Sequence, residues 1–417
     1  MSRVCLVTPA HVANNPRLVK EADALAEAGH DVDVVACQYV DWATENDRPI
    51  LKRADWTPHL LRWGRDESPS LFWHSRLRQH ACRMLLELPG AGPSLRGNES
   101  LLLRAFDRVL PELSAEAQKH PADLYIAHNL QALPVAAAAA RKHGAKLGFD
   151  AEDFHSGMCG YDAEPELRDE IVERLEATYL PQCDYLTAAS PGIAEAYAKK
   201  YGVEELTSIL NVFPLRHRPE ARRPTDPDGP LTLYWFSQTI GPERGLEDIV
   251  RALSHLSGDD IELHLRGNWH SPEYRDKLHR LAGPAADRLI SHGPAPPDEM
   301  VTRAAKYDVG LALEQDVEKN REICLTNKVF TYLLAGNAVV ATATSAQRRL
   351  MEKIDDTGFL YEPGDDSALA RHLTTWILDR EALGRCRKRS WKHGGEKYNW
   401  NTEKDKFLAI VDDVLSR

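Results

Sequence analysis

The sequence predicts an α/β protein built from two doubly wound parallel-sheet domains. Short apolar runs alternate with stretches of helical period along most of the 417 residues. The alternation occurs twice, on either side of residues 216–230, RHRPEARRPTDPDGP, which are rich in proline and charge and lack apolar periodicity. A chain of this length accommodates two or three domains at ~100–200 residues each. The expected organisation is a first domain over 1–215, a linker over 216–230, and a second domain over 231–390. A C-terminal helical segment over 391–417 is expected to pack back on the first domain.

The first forty residues read as one βαβ unit. RVCLVT is a buried parallel strand, HVANNPR a polar turn, and RLVKEADALAEAGH a helix with Leu18, Ala22, Leu25 and Ala26 on one face. Gly29 is placed to end that helix, and DVDVVAC is the next strand. Residues 42–105 break the pattern and read as an insertion. They hold four of the nine tryptophans, and 56–105 carry seven arginines against four acidic residues. Within it LFWHSRLRQHACRMLLEL has helical period, GAGPSLRGNES reads as a loop, and LLLRAFDRVLPELSAEAQKH as another helix.

Alternation resumes with the strand ADLYIAH, the helix LQALPVAAAAARKHG, the strand KLGFDAED, a charged helix over 164–181, the strand DYLTAAS, the helix PGIAEAYAKKYG and the short strand LTSILNVFP. The second series runs TLYWFS, LEDIVRALSHL, IELHLRG, YRDKLHRLA, RLISHG, DEMVTRAAK, DVGLAL, NKVFTYLLAG and AVVAT. The helix SALARHLTTWILD follows, then charged helix with a break at HGGEKYNWN.

Composition bounds the function. The formal net charge of −11 argues against a general nucleic-acid binder, which needs basic surface to displace counterions. The seven cysteines stand singly and form no CxxC, which fits a reducing compartment and disfavours structural zinc. No basic-then-apolar signal opens the chain, and no apolar run approaches the ~18–20 residues of a membrane span. The expected location is the cytoplasm, with peripheral contact at the inner membrane face as a further option. Neither GxGxxG nor GxxxxGK[ST] occurs, which disfavours a dehydrogenase or an ATPase.

In open parallel sheets, ligands bind past the carboxyl ends of the strands. A diphosphate there needs N–H donors at a helix N-terminus and one or two cations. Two segments of the second half qualify. SQTIGPERGLEDIV offers Gly241 and Gly245 for a tight turn and Arg244 as a cation; a plain βα loop accounts for the same residues. ALEQDVEKNREICLTNKVFTYLLAG offers Lys328 beside a helix start that Thr326 or Asn327 could cap; an ordinary capped helix is the rival reading. In the first half, GFDAEDFHSG gathers Asp150, Glu152, Asp153 and His155 past a strand end. Such a cluster suits a general base, a metal site or helix capping. His128 ends the preceding strand.

With these segments in place, the chain resembles bacterial glycosyltransferases of family 4, which share the GT-B fold of two Rossmann-like domains facing across a cleft. RLVKEADALAEAGHDV, ADLYIAH, GFDAED, WFSQTIGPERGLEDIVRAL, NKVFTYLLAGNAVVAT and GFLYEPGD carry the likeness, in the family's order, over nearly the whole chain. The resemblance implies a sugar transferred from a nucleoside-diphosphate donor of UDP or GDP type, with retention and without a metal or other cofactor. The first domain would bind the acceptor, which is a carbohydrate, a glycolipid or a small molecule. The second would bind the donor, and the cleft would close over it.

Residue by residue, Arg244 before Gly245 stands where the family has a diphosphate-binding lysine. The arginine that usually precedes it is replaced at Gln238, and Lys328 or Arg266 would compensate. The family's Glu-x(7)-Glu pair is not intact. Its second glutamate aligns with Thr331, and its first falls nearest Glu322, with Glu314 as second choice. Glu152 stands where many members have a histidine assigned as base or acceptor contact. Glu152 and His128 are therefore the expected catalytic groups on the acceptor side, with Asn14, Asn15, Arg17, Asp150, Asp153 and His155 as acceptor contacts. Arginines with Trp56, Trp63 and Trp73 in the insertion suit either a glycolipid surface or the packing of an amphipathic helix pair. Two rival functions remain: a nucleotide-sugar epimerase of the same fold, and a degenerate, non-catalytic partner protein, the latter motivated by Gln238 and Thr331.

Overall fold

The computed structural model describes residues 1–417 apart from 89–91, 162, 165, 204–205 and 257–259. The chain divides into two compact units, Met1–Ile209 with Lys404–Arg417, and Leu210–Glu403.

The first unit holds a parallel sheet of seven strands in the order β3-β2-β1-β4-β5-β6-β7. The strands are β1 (Arg3–Val7), β2 (Asp31–Gln38), β3 (Thr57–Arg62), β4 (Leu124–His128), β5 (Lys146–Ala151), β6 (Tyr185–Ala188) and β7 (Thr207–Ser208). Every residue of β4 is buried, as its unbroken apolar run requires of a strand covered on both faces. The helix after β1, Pro16–Glu27, starts on a proline, and the Asn15 side chain accepts from the Leu18 N–H. The alanine-rich helix Ala132–His143 buries eight residues and stops at Gly144 in the left-handed conformation, φ 65°.

The second unit holds a parallel sheet of six strands, β10-β9-β8-β11-β12-β13. These are β8 (Leu231–Ile240), β9 (Ile261–Trp269), β10 (Leu289–His292), β11 (Val309–Ala312), β12 (Ala338–Thr342) and β13 (Gly358–Tyr361). Leu231, Leu233 and Trp235 of β8, Leu263 and Leu265 of β9, and the inner face of the helix Leu246–His255 share one buried core. In both sheets the strand order reverses between the first and fourth strands, β1/β4 and β8/β11, which is where such sheets open a ligand crevice.

Several expectations change. The first βα series runs through to Arg62: Asp41–Arg53 is a helix, and β3 pairs in parallel with β2. The true departure from alternation starts after that strand. β3 escaped notice because TPHLLR is an edge strand with little apolar content, and only an edge tolerates its Pro58. The helix expected over 101–120 is two, Glu99–Phe106 and Leu110–Ala117. The Asp107 carboxylate accepts from Val109 N at the break, and proline opens the second helix. Of the expected loop 90–100, Pro93–Arg96 and the residues from Glu99 are helical, while Gly90 and Ala91 lie outside the described residues.

Residues 216–230 do not hang free. The buried Arg387 guanidinium donates to Arg223 O, Pro224 O and Thr225 Oγ1 and to Asp308 Oδ1. Arg218 stacks on Trp391 at 3.6 Å, and Arg223 pairs with Asp308. The stretch is thereby strapped onto the second unit, whose limit falls at Leu210. Of the C-terminal segment, residues 404–417 go with the first unit, through Lys404 to Glu27 at 3.1 Å and His30 to Asp412 at 3.8 Å.

Candidate functional site

At the carboxyl edge of the first sheet, a buried charge network spans four elements. Arg17, on the helix after β1, donates from Nε to Asp150 Oδ2 at 2.7 Å, from Nη2 to Asp150 Oδ1 at 2.5 Å, and from Nη1 to the Ile209 carbonyl at 2.7 Å. Thr187 of β6 donates to the same carboxylate at 2.8 Å. His128, at the end of β4, sits between Glu21 Oε2 at 3.2 Å and Asp150 Oδ2 at 3.5 Å. Arg17, Glu21, His128 and Asp150 are each no more than 2% exposed. Burial alone would lower the His128 imidazole, but Glu21 and Asp150 outweigh it and push it up to about 9. Burial also opposes ionisation of Asp150, yet Arg17 and His128 hold it well below the ordinary carboxylate range.

These placements bear on three assignments. Arg17 and Asp150 are spent on each other at the strand ends. His128 is held between two carboxylates that favour its protonated form. Asn15 is largely committed as the cap of its helix, whereas Asn14 is exposed.

Glu152 lies one residue past the end of β5. Its burial, with Asp153 and Asp150 nearby, raises its carboxyl to about 7 in spite of Arg17. Asp153 and His155 follow it, half-buried; Tyr197 donates to the Asp153 carbonyl at 3.1 Å, and burial lowers the His155 imidazole. Burial and the neighbouring Arg17 draw the Lys20 ammonium down to about 7. Glu21 and Lys20 were not foreseen. The available signal was Glu21 one turn after Arg17 on the buried face of a helix. His11 is also structural: its Nε2 accepts from the Tyr39 N–H at 3.0 Å and its Nδ1 donates to Asp47 Oδ2 at 2.8 Å, pinning the first βα turn.

In the second unit the β8/β11 switch point gathers the expected donor residues. Gly245, φ 69°, precedes the helix Leu246–His255, and a Cβ there would stand 2.4 Å from the Leu313 carbonyl just after β11. Only glycine allows this approach of the two loops. Gly241 is buried against His270. Neither the helix Leu246–His255 nor the helix Asn327–Ala335 has a side-chain cap, so their first N–H groups are open. By contrast, Ser271, Asp365 and Asp379 cap the helices Pro272–Ala282, Asp366–Leu378 and Arg380–Glu396. Arg244, half-buried, has no hydrogen-bond or ion-pair partner among the described residues.

Glu314 stands two residues past β11. It accepts from Lys328 Nζ and from Thr326 Oγ1, each at 2.8 Å, and also from Gln347 Nε2. Burial would raise this carboxyl, but Lys328 and Thr326 outweigh it and hold it below its ordinary value. The Thr326 hydroxyl is thus turned to Glu314 and does not cap its helix. Thr331 is fully buried and donates to the Asn327 carbonyl at 2.8 Å, so its hydroxyl is not offered to a ligand. Glu322 pairs with Lys319 at 3.0 Å, which leaves Glu314 as the better-held carboxylate beside the helix start. Arg266, within β9, donates to Tyr234 Oη and to the Gly293 carbonyl. Gln238 is exposed at a bulge of β8, opposite Gly267, where a Cβ would strike the Ser237 carbonyl at 2.3 Å. Gln347 carried no sequence signal.

Residues 15–209 match the family described as glycosyl transferase 4-like domain. The match lies within the first unit, and the two parallel-sheet domains of the chain have the GT-B fold. No curated protein matches it by sequence. Among solved structures, the chain is similar to Anabaena Alr3699/HepE in complex with UDP-glucose, with 15% identity over 99% of this chain and 100% of that one and a TM-score of 0.69. It is also similar to sucrose-phosphate synthase from Thermosynechococcus elongatus, with 16% identity, full coverage of both chains and a TM-score of 0.68. A third is a TarM variant from S. aureus in complex with Fondaparinux, alpha-GlcNAc-glycerol and UDP, with 10% identity, full coverage of both chains and a TM-score of 0.69.

Proposed function

We propose that this chain is a glycosyltransferase that moves a sugar from a nucleoside diphosphate of UDP or GDP type to a carbohydrate, glycolipid or small-molecule acceptor, with retention and without a metal. One observation carries the reading. An unpartnered Arg244 precedes the helix Leu246–His255, Gly245 lies against the Leu313 carbonyl, and the next residue, Glu314, holds Thr326 and Lys328 at the start of the helix Asn327–Ala335; neither helix has a side-chain cap, and a cation with free helix amides is the donor set a leaving diphosphate needs. UDP-glucose and UDP in the similar structures support it. Arg244 and the amide groups would stabilise the charge that develops on the diphosphate. Glu314, held anionic by Lys328, would face the sugar hydroxyls as a hydrogen-bond acceptor. In the first domain, Glu152 would serve the acceptor.

Calorimetry with UDP and GDP tests the assignment. Arg244→Ala weakens nucleoside-diphosphate binding by roughly 1–3 kcal/mol, the scale of a charge-assisted hydrogen bond; unchanged affinity refutes it. Turnover persists in EDTA, and its loss would return the metal reading. Conversion of a UDP-sugar without acceptor would instead favour the epimerase.

A second part of the proposal concerns location. No described helix is long and apolar enough to cross a membrane. The helix Pro69–Glu87 nevertheless exposes Trp73, Leu77, Met84 and Leu85, and Leu88 follows it, also exposed. Arg65 and Arg76 lie over the Trp73 ring at 5.9 and 5.6 Å. An apolar stripe edged with cations on a chain of net charge −11 fits the surface of an anionic bilayer. Trp56 and Trp63 do not take part, because both are buried.

A further inference from the structure

At the opposite, amino-terminal edge of the first sheet lies a second cluster of titratable groups that the transfer reaction does not use. Asp33 and His59 are each the third residue of their strand, β2 and β3. In the register Asp33 pairs with Thr57 and Val35 with His59, so the two side chains are two positions apart on one face. The His59 Nε2 lies 2.6 Å from Asp33 Oδ1. His120 comes from the turn after the helix Leu110–Ala117, and its ring stacks on that of His59 with centroids 3.5 Å apart and planes inclined by 25°. Glu116, on the same helix, holds His120 Nε2 at 3.2 Å. One donor atom from each of Asp33, His59 and His120 lies within 4.8 Å of the others. The three side chains are 15%, 20% and 20% exposed, covered enough to be fixed and open enough to be reached.

We propose that Asp33, His59 and His120 form a binding site for a borderline divalent transition-metal ion of the zinc type. Two imidazoles and a carboxylate make a donor set that suits Zn2+ and disfavours Mg2+ or Ca2+, which prefer oxygen. Tetrahedral bonds of the usual length put donor atoms about 3.3 Å apart, so on binding the His59–Asp33 pair would open from 2.6 Å while rotation of the side chains brings the remaining donor atoms, now within 4.8 Å, to that spacing. Glu116 orients the His120 ring as carboxylates do behind metal-bound histidines. The other compact cluster, Glu21, His128 and Asp150, does not qualify: the Arg17 guanidinium already occupies Asp150, and His128 carries a proton. The ion would tie edge strand β3 to β2 and to the helix Leu110–Ala117, so it clips the sheet at the end remote from Glu152.

The test uses the full chain, stripped with chelator and desalted, then titrated with Zn2+ and, separately, Mg2+ by calorimetry, with bound metal counted by elemental analysis. One saturable equivalent of Zn2+ and none of Mg2+ is expected, together with a rise in melting temperature on adding Zn2+. That equivalent is lost in His59→Ala and in His120→Gln, each checked for folding by circular dichroism. It is kept in His264→Ala, which disrupts the histidine pair of the second sheet, His264 and His292. His120→Gln sits in a turn, so it keeps the test alive where a change in β3 impairs folding. Absence of a saturable equivalent, or its persistence in both variants, overturns the site.

Discussion

At the residue scale, the proposed acceptor-side chemistry rests on which of two neighbouring groups can trade a proton near neutrality. The His128 imidazole, between Glu21 and Asp150, is pushed up to about 9. Glu152, raised to about 7, gives its proton up where an enzyme works. If its carboxylate serves the acceptor, kcat/KM climbs with pH around a midpoint near 7. Glu152→Gln then lowers turnover and abolishes that limb while leaving UDP affinity within about 0.5 kcal/mol, the usual range for a site without contact. A pH–rate series on both proteins decides it; wild-type turnover in the variant removes Glu152 from the mechanism. The sequence exposed Glu152 because it follows a strand in a carboxylate-rich run. It could not reveal that Arg17 and Asp150 consume each other, since they lie 133 residues apart and meet only once the sheet has formed.

At the element scale, period and punctuation were informative wherever a strand is buried on both faces or a helix ends in glycine. They failed at β3, an edge strand with no fully buried residue, and at Asp107–Val109, where a local turn divides one helical period into two helices. The amphipathic reading of Pro69–Glu87 was legible in the arginine and leucine spacing; which tryptophans stay outside was not. If the exposed stripe meets lipid, the protein co-sediments with vesicles containing phosphatidylglycerol and less with pure phosphatidylcholine. Arg76→Glu and Leu77→Asp each weaken that binding about five-fold or more, since a surface cation near anionic lipid contributes about 1 kcal/mol. Equal sedimentation of wild type and both variants would dismiss the lipid contact.

At the scale of the whole molecule, the buried groups of the first domain couple stability to pH. The His128 imidazole is raised from 6.5 to about 9, so its stabilising contribution is complete below pH 6.5 and is lost as pH rises through 9. The Glu152 carboxyl is raised from 4.5 to about 7, so the folded state binds its proton more tightly, and stability from this group falls between those values. Both act in one direction, but Lys20, drawn down to about 7, gains stability as pH rises above 7 and offsets the His128 loss. The melting temperature is therefore expected to decline from pH 5 to pH 7 by calorimetry, and Glu152→Gln to flatten that decline. A rising profile over this window would contradict the charge network.

The strap formed by residues 216–230 bears on how the chain can be dissected. A fragment begun at Leu231 would retain Arg387 and Asp308 and discard the carbonyls of Arg223 and Pro224 and the hydroxyl of Thr225. A guanidinium stripped of acceptors in an interior is far costlier than one that was never buried. The natural scissor point for isolating the second unit is therefore Leu210, and a hybrid chain spliced at the proline-rich stretch would inherit a torn seam.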